Sequence, residues 1–327
     1  MSLSNRTADP SPAKQDAGFS QTAAALGHSS DPDHRSCEGC GEALGARHAI
    51  GAALRASGNR LITVNATGCL EAFSTPSPET AIHIPWIHSL FGNAAAVATG
   101  VAAAQRIKGR ADVRVVAQGG DGGTADIGFG CLSGMFERND DVLYICYDNE
   151  ACMNSGTQRS SATPPAARTA TTPAFGKEPG NAFGTGKNLP RIAMAHRIPY
   201  VATASVADLP DLERKVTYAM GLRGARYLHI HAPCPLGWGS APADTVRIAR
   251  LAVDSGLFPL FEAHDGKVTA RTAIRCKVPV DEYLGLQTRF AHLFVNAAFR
   301  ERIALIQEIA DRNVAEFGLL AEDAATG

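Results

Sequence analysis

Short β-branched apolar runs alternate along this chain with longer stretches of small residues. Val113-Arg114-Val115-Val116-Ala117 and Val142-Leu143-Tyr144-Ile145-Cys146-Tyr147 are too short for helices and end at turn-forming residues. They read as strands of a buried parallel sheet. Residues 127–138 between them fit a helix rich in small side chains. Upstream, an Ala/Leu-rich helix over 43–56 precedes a short strand at 61–64, which ends in Asn65-Ala66-Thr67-Gly68-Cys69. Residues 81–87 read as strand and turn. The helix over 93–107 has almost no polar face until its end, so it must bury against a sheet or another subunit. Downstream come a helix over 189–196, a strand over 200–203, a helix over 208–222 and a last core strand over 227–232. From 281 to 320, Leu286, Phe290, Leu293, Phe294, Phe299, Ile303, Ile306 and Ile309 recur at near-helical spacing with charges between them, the mark of an amphipathic helical tail. The alternation predicts an α/β fold, a central mostly parallel sheet flanked by helices.

Three regions follow. Residues 1–33 are polar and aperiodic and read as a disordered N-terminal extension. Residues 34–250 form the main domain, and 251–327 a largely helical C-terminal segment expected to contact another subunit. Within the main domain, 154–190 is rich in Ser, Thr, Pro and Gly, and so long a loop in a compact protein points to function. With 327 residues, 45% of them hydrophobic, the chain can bury a substantial core. Its net charge of −1, without a basic tract, excludes a nucleic-acid footprint. No apolar stretch reaches the roughly 18–20 residues needed to span a bilayer. The first thirty-odd residues lack the apolar core of a secretory signal, so a cytoplasmic location is expected. In that compartment eight cysteines point to metal or catalytic duty rather than disulfides.

The candidate chemistry sits where strands end. Gly120-Asp121-Gly122 closes the first central run, and Asp148-Asn149-Glu150-Ala151 closes the second. In a parallel βαβ unit neighbouring strand ends lie side by side, so Asp121 and Asn149 can face one site. A carboxylate oxygen, an amide oxygen and a backbone carbonyl suit a hard cation such as Mg²⁺, which keeps positions for phosphate oxygens. The glycines let backbone approach a diphosphate and present N–H groups at a helix start. A second set is Cys37-Glu38-Gly39-Cys40 with the remote Cys69 and Cys234, each beside Gly or Pro at an element end. Four such thiolates can close a tetrahedral site for Zn²⁺ or a [4Fe–4S] cluster, and spacing alone does not choose. Cys131 and Cys146 read as core residues, Cys276 carries no signal, and Cys152 lies inside the cofactor segment. His83, His88, His229 and His231 read as core or subunit-contact histidines.

Together these residues resemble the thiamine-diphosphate-binding β subunit of the 2-oxoacid:acceptor oxidoreductases, the pyruvate:ferredoxin oxidoreductase family. The likeness runs from about Cys37 to Val295. It is carried by Cys-Glu-Gly-Cys-Gly-Glu (37–42), Asn-Ala-Thr-Gly-Cys (65–69), Pro-Trp-Ile-His (85–88), Gly-Gly-Asp-Gly-Gly-Thr-Ala-Asp-Ile-Gly (119–128) and Tyr-Asp-Asn-Glu-Ala (147–151). Gln-Arg-Ser-Ser-Ala-Thr-Pro (158–164), Pro-Tyr-Val-Ala-Thr-Ala-Ser (199–205) and Ala-Pro-Cys-Pro-Leu-Gly-Trp-Gly (232–239) extend it. The resemblance implies the thiamine-diphosphate-binding fold and a [4Fe–4S] cluster on Cys37, Cys40, Cys69 and Cys234. It implies Mg²⁺ on Asp121, Asn149 and the carbonyl of Ala151, with the cofactor along Gly120, Gly122, Gly123 and Thr124. Glu42 and the Cys40 backbone line the cofactor, and Asn154 lies near its reactive carbon and the substrate. The implied reaction is oxidative decarboxylation of a pyruvate-type 2-oxoacid to an acyl-CoA and CO₂, with coenzyme A as co-substrate. The implied partners are α/γ-type subunits and a ferredoxin-like δ-type subunit, the chain being inactive alone. Cys152 and Gly92 are smaller than the Tyr and acidic residue of many relatives. A roomier pocket would admit an aryl 2-oxoacid such as phenylglyoxylate, with electrons passed to NAD through a flavoprotein. Non-oxidative decarboxylation would need the Asp121/Asn149 site but no cluster, and a zinc-stapled structural subunit would need the cysteines but no cofactor.

Overall fold

The computed structural model describes residues 35–75, 82–175 and 177–321, so the predicted extension over 1–33 lies outside the described residues. An eight-stranded sheet runs, edge to edge, through Lys267–Arg271 (β10), Phe261–His264 (β9), Tyr200–Ser205 (β7), Arg226–His231 (β8), Leu143–Asp148 (β4), Arg114–Gly120 (β3), Leu61–Ala66 (β1) and Trp86–Ser89 (β2). Its parallel members are β1, β2, β3, β4, β7 and β8. Two-residue strands β5 (Ala174–Phe175) and β6 (Glu178–Pro179) form a separate small hairpin. The continuous burial of β1, β4, β7 and β8 explains why their sequences are apolar runs rather than alternations.

Period-two geometry divides each central strand between two helical layers. Val116, Ile145, Ala202 and Leu228 join the core under α1 (Gly41–Ala56) and α6 (Leu209–Gly221). Val115, Tyr144, Val201 and Tyr227 join the opposite core, under α3 (Ala94–Ile107), α4 (Phe129–Glu137) and α5 (Leu189–Ala195). A third core gathers Trp238, Ile248, Tyr283, Phe290, Leu293 and Ile306 beneath the C-terminal segment. The amino ends of β3 and β8 are sealed by Arg114 and Arg226 paired with Asp141. The carboxyl ends carry the acid, amide and hydroxyl groups, the edge at which open α/β sheets bind ligands.

Two expectations change. Residues 227–232 are not the last core strand: Phe261–His264 (β9) pairs antiparallel with β7, and Lys267–Arg271 (β10) pairs antiparallel with β9. The expected boundary at residue 250 thus falls inside α8 (Thr245–Asp254), and the chain beyond it completes the main sheet. The amphipathic helical tail is built from α9 (Val280–Gly285), α10 (Ala291–Val295) and α11 (Glu301–Phe317), joined by 3₁₀ turns. Asn296 ends α10, its side chain accepting from Ala298 N–H to start the next turn. As expected, α3 packs against the sheet, through Ala94, Ala95 and Ala98, while Ile107 at its end is 83% exposed. Among the described residues, no helix is long and apolar enough to cross a membrane.

Candidate functional site

β3 and β4 are neighbouring parallel strands with Gly120 opposite Tyr147, which brings Asp121 and Asn149 to one edge. Both are buried. One side-chain atom of each is already engaged. Ser160 Oγ donates to Asp121 Oδ2, and Asn149 Nδ2 donates to Glu42 Oε2 at 3.0 Å. The other oxygens, Asp121 Oδ1 and Asn149 Oδ1, are buried without any hydrogen-bond partner. Leaving one such acceptor unpaired costs about 1–3 kcal/mol, more if charged. Two together, one a carboxylate, fit a hard oxygen-seeking cation. Burial, and then the charge of Asp148, push the Asp121 carboxyl well above its usual range, against the Ser160 hydrogen bond. A bound cation would offset both effects.

Beside these oxygens lies a cavity of about 270 Å³. Glu42, Cys69, Gly120, Gly122, Gly123, Asn149, Ala151, Cys152 and Asn154 all line it. A Cβ on Gly122 would run into Cys152 Sγ, and one on Gly123 would stand 2.9 Å from the Phe91 carbonyl. The glycines are therefore required by close approach. They lead into a single π-helical turn, Gly123–Ile127, a local irregularity common at functional sites. Thr124 does not face the cavity: its hydroxyl donates to Gly120 O at 2.7 Å and meets Tyr144 Oη at 3.0 Å, which fixes the turn from below. Gly92 does not enlarge the cavity either, because a Cβ there would stand 3.0 Å from the Ile127 carbonyl. The room expected from a small residue at 92 is absent for that reason.

The cysteines occupy three turns around this site. Cys40 caps α1, its Sγ accepting from Ala43 N–H at 3.4 Å; Cys234 caps α7 (Pro235–Trp238), accepting from Gly237 N–H at 3.4 Å. Cys69 opens α2 (Cys69–Ser74) and lines the cavity together with Asn154. All are free thiols. Burial pushes the Cys40 thiol up to about 12 and raises Cys69 and Cys234 as well. As free thiols they are poor nucleophiles, and binding a metal would require their deprotonation, which the metal's own charge would offset. Among the described residues no three His, Cys, Asp or Glu side chains stand in a ready metal-binding constellation, so the four sulfurs do not yet converge. The set fits a metal group by donor type and by these N–H···S contacts. Cys40 faces an outer groove shared with Cys37, Arg47 and Val246, not the cofactor cavity.

The turns are tied to the cation oxygens through hydrogen bonds. Glu42, two residues after Cys40, also accepts from Leu70 N–H at 3.1 Å, next to Cys69. Burial pushes its carboxyl up to about 7. Trp238, on the Cys234 turn, donates its indole N–H to Asn149 O at 2.8 Å. Gly41 N–H donates to Pro233 O at 3.0 Å, and a Cβ at Gly41 would stand 2.6 Å from that oxygen. Gly41→Ala should therefore force the Cys40 and Cys234 turns apart at a cost of about 1–3 kcal/mol. Its expected result is a lower melting temperature; a wild-type value would contradict the close approach.

The family described as thiamine pyrophosphate enzyme, C-terminal TPP binding domain, matches residues 66–230, which hold the glycine turn and both orphaned oxygens. The chain is 51% identical over 282 residues to pyruvate synthase subunit PorB of Methanothermobacter thermautotrophicus, across 86% of this chain and 94% of that protein. It belongs to the thiamine-diphosphate-binding β subunits of the 2-oxoacid:acceptor oxidoreductases. This β subunit is also 48% identical over 287 residues to the PorB of Methanosarcina barkeri, across 88% of this chain and 95% of that one. It is 42% identical over 267 residues to ketoisovalerate oxidoreductase subunit VorB of Pyrococcus abyssi, across 80% and 84% of the two chains. Its fold is similar to that of 2-oxoglutarate:ferredoxin oxidoreductase from Magnetococcus marinus, with a TM-score of 0.54 at 20% identity, over 82% of this chain and 93% of that chain.

Sequence reasoning missed several residues of the β subunit's site. Phe91 and Met153 line the cavity, and Trp238 reaches Asn149 from a distant turn. None carried a charge or a spacing that would have drawn notice. His229 and His231 are core residues: His229 bridges Asp148 (2.8 Å) and Tyr227 (2.7 Å), and His231 packs on Phe258 and Trp238, whereas His88 is exposed beside Thr67.

Proposed function

We propose that this β subunit, within a heteromeric complex, oxidatively decarboxylates a pyruvate-type 2-oxoacid to an acyl-CoA and CO₂ and passes the electrons to a ferredoxin-like partner. The observation that carries the reading is the pair of orphaned oxygens, Asp121 Oδ1 and Asn149 Oδ1, over a glycine turn. These oxygens and the carbonyl of Ala151 would hold Mg²⁺ and through it the diphosphate. Gly120, Gly122 and Gly123 give the diphosphate room and backbone N–H groups. Cys37, Cys40, Cys69 and Cys234 would bind a [4Fe–4S] cluster, a reading supported by their donor type and by the links that Glu42 and Trp238 make from the Cys40, Cys69 and Cys234 turns toward Asn149. When bound, thiamine diphosphate supplies the electron sink for loss of CO₂ and the cluster a one-electron outlet. Asn154 lines the cavity beside Cys69, so it would orient substrate on the side facing that outlet. The α/γ-type and δ-type subunits would complete the pocket and take the electrons. The relatives named for pyruvate synthase support this substrate class. The test is a viologen-reduction assay of the co-purified complex with a panel of 2-oxoacids and coenzyme A. Reduction that ignores coenzyme A, or no reduction with any 2-oxoacid, would overturn the proposal.

Cys152 favours a second reading, in which a bulkier 2-oxoacid such as phenylglyoxylate is the substrate and NAD the final acceptor through a flavoprotein subunit. Its small side chain lines the cavity directly above Gly122. Cys152→Tyr should lower kcat/KM for phenylglyoxylate by about tenfold or more relative to pyruvate, through steric exclusion. An unchanged ratio would show that position 152 does not set the pocket. Wild-type complex active on pyruvate alone would dispose of the bulky substrate.

A further inference from the structure

The segment 158–164, Gln-Arg-Ser-Ser-Ala-Thr-Pro, has no chemistry of its own in the reading above, yet it crosses the cation site as a strap. Its hydroxyls all point at that site's framework. Ser160, fully buried, donates to Asp121 Oδ2. Ser161 holds Asp126 with its hydroxyl and with its N–H at 2.9 Å, and Lys187 covers that pair at 3.2 Å from Asp126. Thr163 accepts from Ser160 N–H at 2.9 Å and donates to Glu150 O at 2.7 Å, one residue past Asn149. Two consecutive serines thus pin the two acids of the glycine turn, and the threonine pins the turn that carries the amide.

We propose that Ser160 is the positioning residue for the cation ligand Asp121, its hydroxyl occupying Oδ2 so that only Oδ1 is presented to Mg²⁺. A free carboxylate can rotate or chelate with both oxygens, whereas Mg²⁺ demands near-octahedral geometry with single, well-aimed oxygens. Glu42 does the same for Asn149 by accepting from Nδ2 and leaving Oδ1 unpaired. Each ligand therefore has one oxygen held free by a partner distant in sequence. Outer partners of this kind are worth about 10–100-fold in metal affinity.

The inference rests on the reading of Asp121 as a cation ligand, and the experiment separates the two. The intact complex is depleted of Mg²⁺ and the concentration giving half-maximal retention of thiamine diphosphate after gel filtration is measured, with Mn²⁺ electron paramagnetic resonance as a direct readout of the bound ion. Ser160→Ala should raise the required Mg²⁺ by about 10–100-fold. Saturating Mg²⁺ should restore retention, which a generally damaged fold would not allow. In an Asp121→Asn background, Ser160→Ala should add nothing further, since its effect runs through the carboxylate. An unchanged Mg²⁺ requirement in Ser160→Ala, or an undiminished effect in the Asp121→Asn background, would overturn the assignment. Asp121→Asn behaving as wild type would instead remove the cation reading itself. If Ser160→Ala does not assemble, Ser160→Cys, a weaker donor of similar size, reports the same quantity.

Discussion

Asp121→Ala is expected to leave the complex folded and stripped of thiamine diphosphate. Asp121 is the only charged side chain among the proposed cation ligands, and its Oδ1 is buried with no protein partner. Removing it takes away a buried carboxylate that the apo fold already disfavours: burial and the nearby charge of Asp148 hold that carboxyl well above its usual range. The apo protein should therefore lose little stability, and its melting temperature without cofactor should match or exceed wild type. The holo state should lose the anchor of the diphosphate. A retention defect of at least ~100-fold, about 2.7 kcal/mol, is expected from the loss of a charged ligand. Cofactor content after gel filtration, read against added Mg²⁺, is the check. Wild-type occupancy would contradict the placement of the cation.

The second large effect concerns the thiols. Cys37→Ser, Cys40→Ser, Cys69→Ser or Cys234→Ser in the anaerobically purified complex should remove the brown absorbance, most of the iron and sulfide, and dye reduction. Cys131→Ser and Cys276→Ser should retain all three. The contrast follows from position. Cys40 and Cys234 cap helices with their sulfurs receiving N–H groups, and Cys69 opens a helix beside them. Cys131 lies within α4, and Cys276 is exposed away from these turns. Iron lost equally from both groups would show the ligand set to be wrong. Zinc in place of iron and sulfide would turn the same cysteines into a structural staple. Because Glu42 and Trp238 join the cysteine turns to Asn149, thiamine diphosphate retention should also weaken in the ligand variants, though less than in Asp121→Ala.

Much of this was legible in the chain because the signals are local. A buried parallel strand advertises itself as a short apolar run, and β3 and β4 end where Gly120-Asp121-Gly122 and Asp148-Asn149 said they would. Two strands in one βαβ unit are neighbours as a matter of topology, so the meeting of Asp121 and Asn149 followed from sequence. The cysteine turns were marked by adjacent Gly and Pro. Other features left no such trace. β10 is exposed along its whole length and β9 has only four residues, so neither shows a buried run or a clean alternation; their pairing depends on β7, some sixty residues away in the chain. The tail's hydrophobic spacing is satisfied equally by one helix or several, so the spacing alone does not place its breaks.

The site divides along the same line. Residue type and spacing determined which groups could bind a cation, a diphosphate or a metal cluster, since those are properties of side chains and of the strand ends that carry them. Tertiary structure alone decided which atoms remain available. Ser160 and Glu42 each claim one atom of a ligand distant in sequence, Thr124 turns into the core, and Gly92 is filled by the Ile127 backbone. Hydrogen-bond satisfaction is a property of the packed whole: an oxygen is free only when every neighbour has been placed, and no local stretch of sequence contains that information.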